Sequence, residues 1–384
     1  VYYFFDSPWH VISMTMIALL GIGVTLPLRR YFNCSCRRAI LLYCWHLLFS
    51  VVYALYVINN GGDSIAYYLK SIHTEVGFSF GTDAIVLLTV LLTKGLGLSL
   101  LGCFFVFQIF GYIGLLAFDG ALRNLCESKH KNVKRLASLI VFLPSVSFWS
   151  SAVGKDSLSF MAVGLALWAS LNLSKRLSLM VLSVLIMLLV RPHMAGLMVI
   201  ALAFSLVFQN TIPLIYRMIL AGISLGVAFV LVPYALDYAG IGGNVSIDKI
   251  DDYIDERQSY NTEGGGGIDI SSMSLPMQLF TYMFRPLPFE AHSAASFMAS
   301  LDNVLLLFIF ILGFFSRVRR KLSFRCEGHN RLFMWCYLLA SWCVLALTSA
   351  NLGIAVRQKW MIAPMLVFLL LSYIGKQKNM KNED

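Results

Sequence analysis

The chain has 384 residues, of which 58% are hydrophobic and 13% charged, and its mean hydropathy is +0.75. A soluble domain carries about a quarter charged residues, so a membrane-embedded protein is the ordinary class left, and this length holds roughly ten helical spans of about 20 residues. The net charge of +10 does not indicate a nucleic-acid partner, because the Lys and Arg are split among short loops with no aromatic-interleaved patch or reading motif.

In chain order, the apolar runs predict spans at 9–27, 39–58, 97–118, 136–153, 157–173, 177–190, 194–208, 217–236, 300–316, 332–350 and 359–375, about eleven transmembrane helices in one integral membrane domain covering 1–384. These runs are long and continuous, as spanning helices require, and lack the alternation of an outer-membrane barrel. The first run has no basic leader, so no cleavable signal peptide is expected. Residues 84–93 are apolar but too short to span, and counting them would put the basic loops downstream on the wrong side. They are expected to form an interfacial or re-entrant helix. The eight cysteines fall in spans or basic-side loops, so a disulfide framework is not expected.

Alternate connections are basic: Arg29, Arg30, Arg37 and Arg38; Arg123, Lys129, Lys131, Lys134 and Arg135; Lys175 and Arg176; Arg217; Arg317 to Arg331; and Lys376 to Lys381. Positive-inside reasoning places these in the cytoplasm, with the N-terminus outside and the C-terminus inside. The basic residues also suit contacts to anionic membrane lipids. Two outer loops are substantial. Residues 59–96 carry Gly61-Gly62-Asp63-Ser64 and Tyr67-Tyr68. Residues 237–299 begin acidic (Asp248, Asp251, Asp252, Asp255, Glu256), pass through four glycines at 264–267, and end apolar at 275–289.

The outer face is poor in basic residues, so its helix-end cations stand out. Arg191 follows an apolar run in LLVRPH, with His193 beside it. A snorkelling anchor is the bland explanation; a phosphate contact is the functional one. Arg285 lies in MFRPLPFEAH, with Glu290 and His292 close behind. It either pairs with Glu290 or offers a guanidinium to phosphate, which Arg binds bidentately. Lys155 and Asp156 begin a helix after Gly154; Asp156 there complements the helix dipole, and a helix start also attracts anions. Arg357, in NLGIAVRQKW, is again an anchor or a phosphate ligand, with Lys359 and Trp360 read as interface residues. Asp63 is a turn former or the first candidate for a general base, followed by His193, Glu290 and His292. No Asp-x-Asp, His-Glu-x-x-His or Gly-x-Ser-x-Gly occurs, so no cofactor or metal is expected and leaving-group charge falls to Arg and Lys.

The segments GGDSIAYY, LPSVSFWSSAVGKDSL, LLVRPH, FRPLPFEAH and NLGIAVRQKW, in that order, resemble those of Wzy-type O-antigen and capsular polysaccharide polymerases, membrane glycosyltransferases of the GT-C type. The resemblance implies a bacterial inner-membrane enzyme that joins undecaprenyl-diphosphate-linked oligosaccharide repeat units at the periplasmic face, without a metal. A repeat-unit flippase and a chain-length regulator would be its partners. It further implies Arg191, Arg285 and Arg357 on the diphosphate with Lys155 helping, Asp63, Glu290 and His292 as candidate catalytic groups, and Tyr67, Asp156 and His193 as substrate contacts. An O-antigen ligase or another polyprenyl-linked glycosyltransferase would share the leaving-group chemistry. A lipid-linked glycan transporter is the rival from another class, disfavoured because the span interiors carry almost no charge.

Overall fold

The computed structural model describes residues 4–73, 77–208, 214–239, 267–270, 272–319 and 329–375. The acidic stretch of the 237–299 loop, glycines 264–266, Cys326 and the basic residues Arg320, Lys321, Arg325, Lys376, Lys378 and Lys381 lie outside them. The described chain is all-α, with one isolated antiparallel bridge between Gly267 and Asn351. The helices are α1 (Pro8–Tyr31), α2 (Cys36–Asn60), α3 (Asp63–His73), α4 (Thr82–Val90), α5 (Leu100–Cys126), α6 (Lys131–Val141), α7 (Pro144–Ser150), α8 (Lys155–Ser170), α9 (Leu177–Val190), α10 (Pro192–Val207), α11 (Leu214–Ala239), α12 (Leu275–Phe284), α13 (Ala294–Arg319), α14 (Arg331–Thr348), α15 (Leu352–Gln358) and α16 (Ala363–Tyr373).

Among the described residues, six helices are long and apolar enough to cross a membrane: α1, α2, α5, α6 with α7, α13 and α14. The pair α15 and α16, bent by 64°, makes a seventh if it is one broken span. The apolar helices α9 and α10 are shorter, at 14 and 16 residues. The 136–153 run is interrupted where Pro144 opens α7, because proline cannot donate to the preceding turn. The 84–93 segment is a short helix, α4, prolonged by a π-turn over Leu91–Gly95.

Packing divides the chain into two units. The first comprises Val1–Ala121, Val141–Trp168 and Ser178–Arg191. Within it α5 is largely buried, and its glycines admit neighbouring backbones. A Cβ on Gly111 would meet the Ser150 carbonyl at 1.9 Å, and one on Gly164 of α8 would meet the Gly114 carbonyl at 2.4 Å. Small residues let helices approach this closely in lipid, where dispersion replaces the hydrophobic drive. Gly164→Ala therefore presses a methyl into fixed backbone. The expected cost is about 1–3 kcal/mol, read as a lower detergent melting temperature; an unchanged melt would contradict this packing. Polar contacts also cross this unit's interior. Arg38 donates to Asp119 through Nε at 2.9 Å and Nη2 at 2.6 Å, over the Phe142 ring. His46 bridges Gln108 and Ser150, at 3.2 and 3.0 Å. Gln108 Oε1 is the atom that faces His46 Nδ1, and Ser150 Oγ also donates to the Val146 carbonyl.

The second unit comprises Leu122–Ile140, Ala169–Leu177 and Pro192–Asp384. Here α10 packs along α11 and α14, and α13 along α16. Gly313 of α13 sits against Leu370, where a Cβ would lie 2.8 Å from its Cδ2. Asn330 caps α14 and also donates to Ser205 Oγ of α10 at 2.9 Å. Lys129 caps the end of α16, donating to the carbonyls of Ser372 and Ile374 at 3.0 and 2.6 Å, where a cation also meets the negative end of the helix dipole.

Candidate functional site

The sequence-derived candidates fall into two sets, one in each unit. In the first unit, Gly61 and Gly62 adopt positive φ of 74° and 131°, a conformation that side chains resist, and so turn the chain from α2 into α3. Asp63 opens α3 at the helix's positive end and is exposed. Tyr67, one turn further on, lays its ring edge against Gly154; a Cβ there would lie 3.4 Å from Tyr67 Cε2. Lys155 and Asp156 follow as the first residues of α8, Lys155 half-buried and Asp156 buried. Arg191 completes the set. It extends α9 through its own N–H to the Met187 carbonyl and donates Nη2 to Asp156 Oδ1 at 2.9 Å. The residue is only 9% exposed, and its Nε is buried with no hydrogen-bond partner. The apolar 84–93 segment also reaches this end of α9, since Gly81 just before α4 donates to the Leu189 carbonyl at 2.8 Å. Tyr53, Tyr56, Phe148 and Trp149 form an aromatic cluster between α2 and α7, with Tyr53 and Phe148 centroids 4.4 Å apart.

In the second unit, α12 ends at Arg285, whose peptide to Pro286 is cis. Glu290 closes the following turn with both oxygens. Oε1 accepts from Arg285 Nε at 2.8 Å and Nη2 at 2.5 Å, and Oε2 accepts the Leu287 N–H at 2.7 Å. Burial pushes the Glu290 carboxyl up, but the Arg285 and Leu287 hydrogen bonds and the charges of Arg285 and His292 outweigh it and hold it below its ordinary 4.5. A depressed folded-state value stabilises the turn fully above pH 4.5 and ceases to do so as pH falls through that lower value. The melting difference between wild type and Glu290→Gln should therefore hold from pH 7 to about 5 and shrink on further acidification; a difference that widens in acid would contradict the pairing. His292 is exposed and His193, near the start of α10, is half-buried.

Arg357 lies in the last turn of α15, and beyond it the burial differs from what the sequence predicts. Lys359 and Trp360 are not interface residues: they are 0% and 2% exposed. Lys359 Nζ donates to Asn303 Oδ1 of α13, and Asn303 Nδ2 donates to the Pro286 carbonyl at 2.9 Å. Asp302, 2% exposed, acts electrostatically on Lys359. Sequence reasoning passed over Asp302 and Asn303. The signal was present, as an Asp-Asn pair inside the apolar run of α13. Asp119 inside α5 was passed over in the same way, so the span interiors are less free of charge than the sequence reading held.

Arg191 is paired with Asp156, and Arg285 with Glu290. Each pairing fixes the guanidinium and spends only part of its five N–H donors. Among the described residues, no group of three or more His, Cys, Asp or Glu is placed to hold a metal ion. Comparison with protein-family models, with curated proteins and with solved structures gave no match.

Proposed function

We propose that the chain is a GT-C-like polysaccharide polymerase of the Wzy type. In this reading about eleven spans place the N-terminus in the periplasm and the C-terminus in the cytoplasm of a bacterial inner membrane. The substrates are undecaprenyl-diphosphate-linked repeat units. The observation that carries the reading is Arg285: a half-buried guanidinium at a helix end, held by a carboxylate that is itself fixed by the backbone. A merely anchoring arginine needs no such clamp, whereas a phosphate ligand gains from losing its freedom before substrate arrives.

In the reaction, an acceptor sugar hydroxyl attacks the donor's first sugar carbon. The bond from that carbon to the diphosphate oxygen breaks, and lipid diphosphate departs with its negative charge. Arg285 and Arg357 are the phosphate-binding groups of this reading, and Arg191 and Lys155 are assigned to phosphate by the sequence resemblance alone. Asp63 receives the hydroxyl proton. Glu290, held ionised by Arg285, is a weak base by the same effect, and its part is to hold the arginine. Tyr67, Asp156 and His193 are substrate contacts, and His292 is a further candidate catalytic group.

The test is incubation of membrane vesicles containing the chain with lipid-linked repeat units, followed by separation of the glycans by length. A ladder of multiples supports polymerisation. Transfer of one finished glycan to a different lipid acceptor would make the chain a ligase. Movement of the lipid-linked unit across the bilayer with no new glycosidic bond would make it a transporter.

A further inference from the structure

A buried ammonium needs a reason. Ionisable groups inside membrane segments are costly, and those that persist usually serve a site. Lys359 is wholly buried at the bend of the broken helix pair α15 and α16, and broken helices are where membrane proteins build sites. Its contacts lead to one place. Nζ grips Asn303 Oδ1, which leaves the Asn303 amide NH2 facing the Pro286 carbonyl at 2.9 Å. Asn303 is fully buried, and Asp302 beside it supplies a countercharge. Pro286 directly follows Arg285, and Arg357 lies two residues before Lys359. One continuous chain of contacts therefore runs from the Arg285 turn through α13 to the segment bearing Arg357.

We propose that Asn303 and Lys359 are positioning residues that lock the Arg285 turn to the Arg357 segment, so that the two guanidiniums meet a diphosphate as a pair of fixed spacing. The tie rests on the contacts alone; the diphosphate as substrate rests on the polymerase reading. Lys359 orients the Asn303 amide, because an ammonium can only donate and so commands the carbonyl oxygen. The amide NH2 is then left to hold the Pro286 carbonyl.

Asn303→Asp separates positioning from mere stability. It keeps an acceptor for Lys359 and so keeps the buried ammonium partnered, but it removes the donor to Pro286. In the detergent-solubilised full chain, hydrogen exchange in peptides covering 284–291 is expected to rise tenfold or more with melting preserved. In vesicles given lipid-linked repeat units, kcat is expected to fall at least tenfold. In an Arg285→Ala background, Asn303→Asp is expected to add nothing. If Asn303→Asp does not fold, Asn303→Ala takes its place in the same measurements. Unchanged exchange overturns the tie. Raised exchange with undiminished turnover, or full additivity with Arg285→Ala, overturns the positioning role. A wild-type chain that makes no glycosidic bond removes the polymerase reading and with it the diphosphate, while the exchange measurement still decides the tie.

Discussion

Replacing Arg285 with alanine is expected to stop chain extension while leaving the protein in the membrane. The Arg285 and Glu290 side chains are 22% and 20% exposed, so water can take the place of the lost guanidinium at Glu290, and Leu287 still holds the other oxygen. The fold cost is therefore small, as for other partly exposed pairs. The functional cost is large, because a donor aimed at developing leaving-group charge is typically worth about 100- to 1,000-fold in rate. Glycans of a single repeat are expected in vesicles where the wild type makes a ladder. Arg285→Lys should fall between the two, since an ammonium keeps the charge but not the bidentate geometry. A ladder of normal length made at the normal rate by Arg285→Ala would remove this residue from the mechanism.

The second large effect concerns Arg191 and Asp156. Their side chains are 11% and 5% exposed, so this pair lies in the interior, where a single missing partner strands a charge. Asp156→Ala is expected to cost about 3–5 kcal/mol of stability, seen as a much lower detergent melting temperature. The double substitution Asp156→Leu with Arg191→Met removes both charges and returns apolar bulk, so most of that stability should come back. Polymerisation should not come back if, as proposed, Arg191 is a phosphate ligand. Chain extension by the double variant at the wild-type rate would mean that Arg191 serves the fold alone. Failure of the double variant to recover stability would mean that the pair's role between the start of α8 and the end of α9 is more than electrostatic.

These two arginines also show where sequence reasoning stops. Hydropathy is a local property, so the apolar runs were legible as helices, and so were the turns that carry Asp63, Lys155, Arg191, Arg285 and Arg357. Glu290 could be named as a partner for Arg285 because the two lie five residues apart. Asp156 could not be named for Arg191, because 35 residues separate them and no spacing rule reaches that far. The Lys359 reading failed for the same reason. A lysine beside a tryptophan at the edge of an apolar run has the composition of an interface anchor, and only a partner 56 residues away makes it a buried ammonium instead.

Composition and hydropathy alone settle that this is a helical membrane protein, because burying so much apolar surface in lipid is the only favourable state for such a chain. They also locate several helix ends, among them those at Leu177 and Val190, since proline, glycine and charge act within a turn or two of their own position. The tertiary structure alone decides which ionisable side chains face water and which are buried against a partner. That balance sets desolvation against pairing, and pairing depends on residues distant in sequence that only the packed helices bring within hydrogen-bond reach.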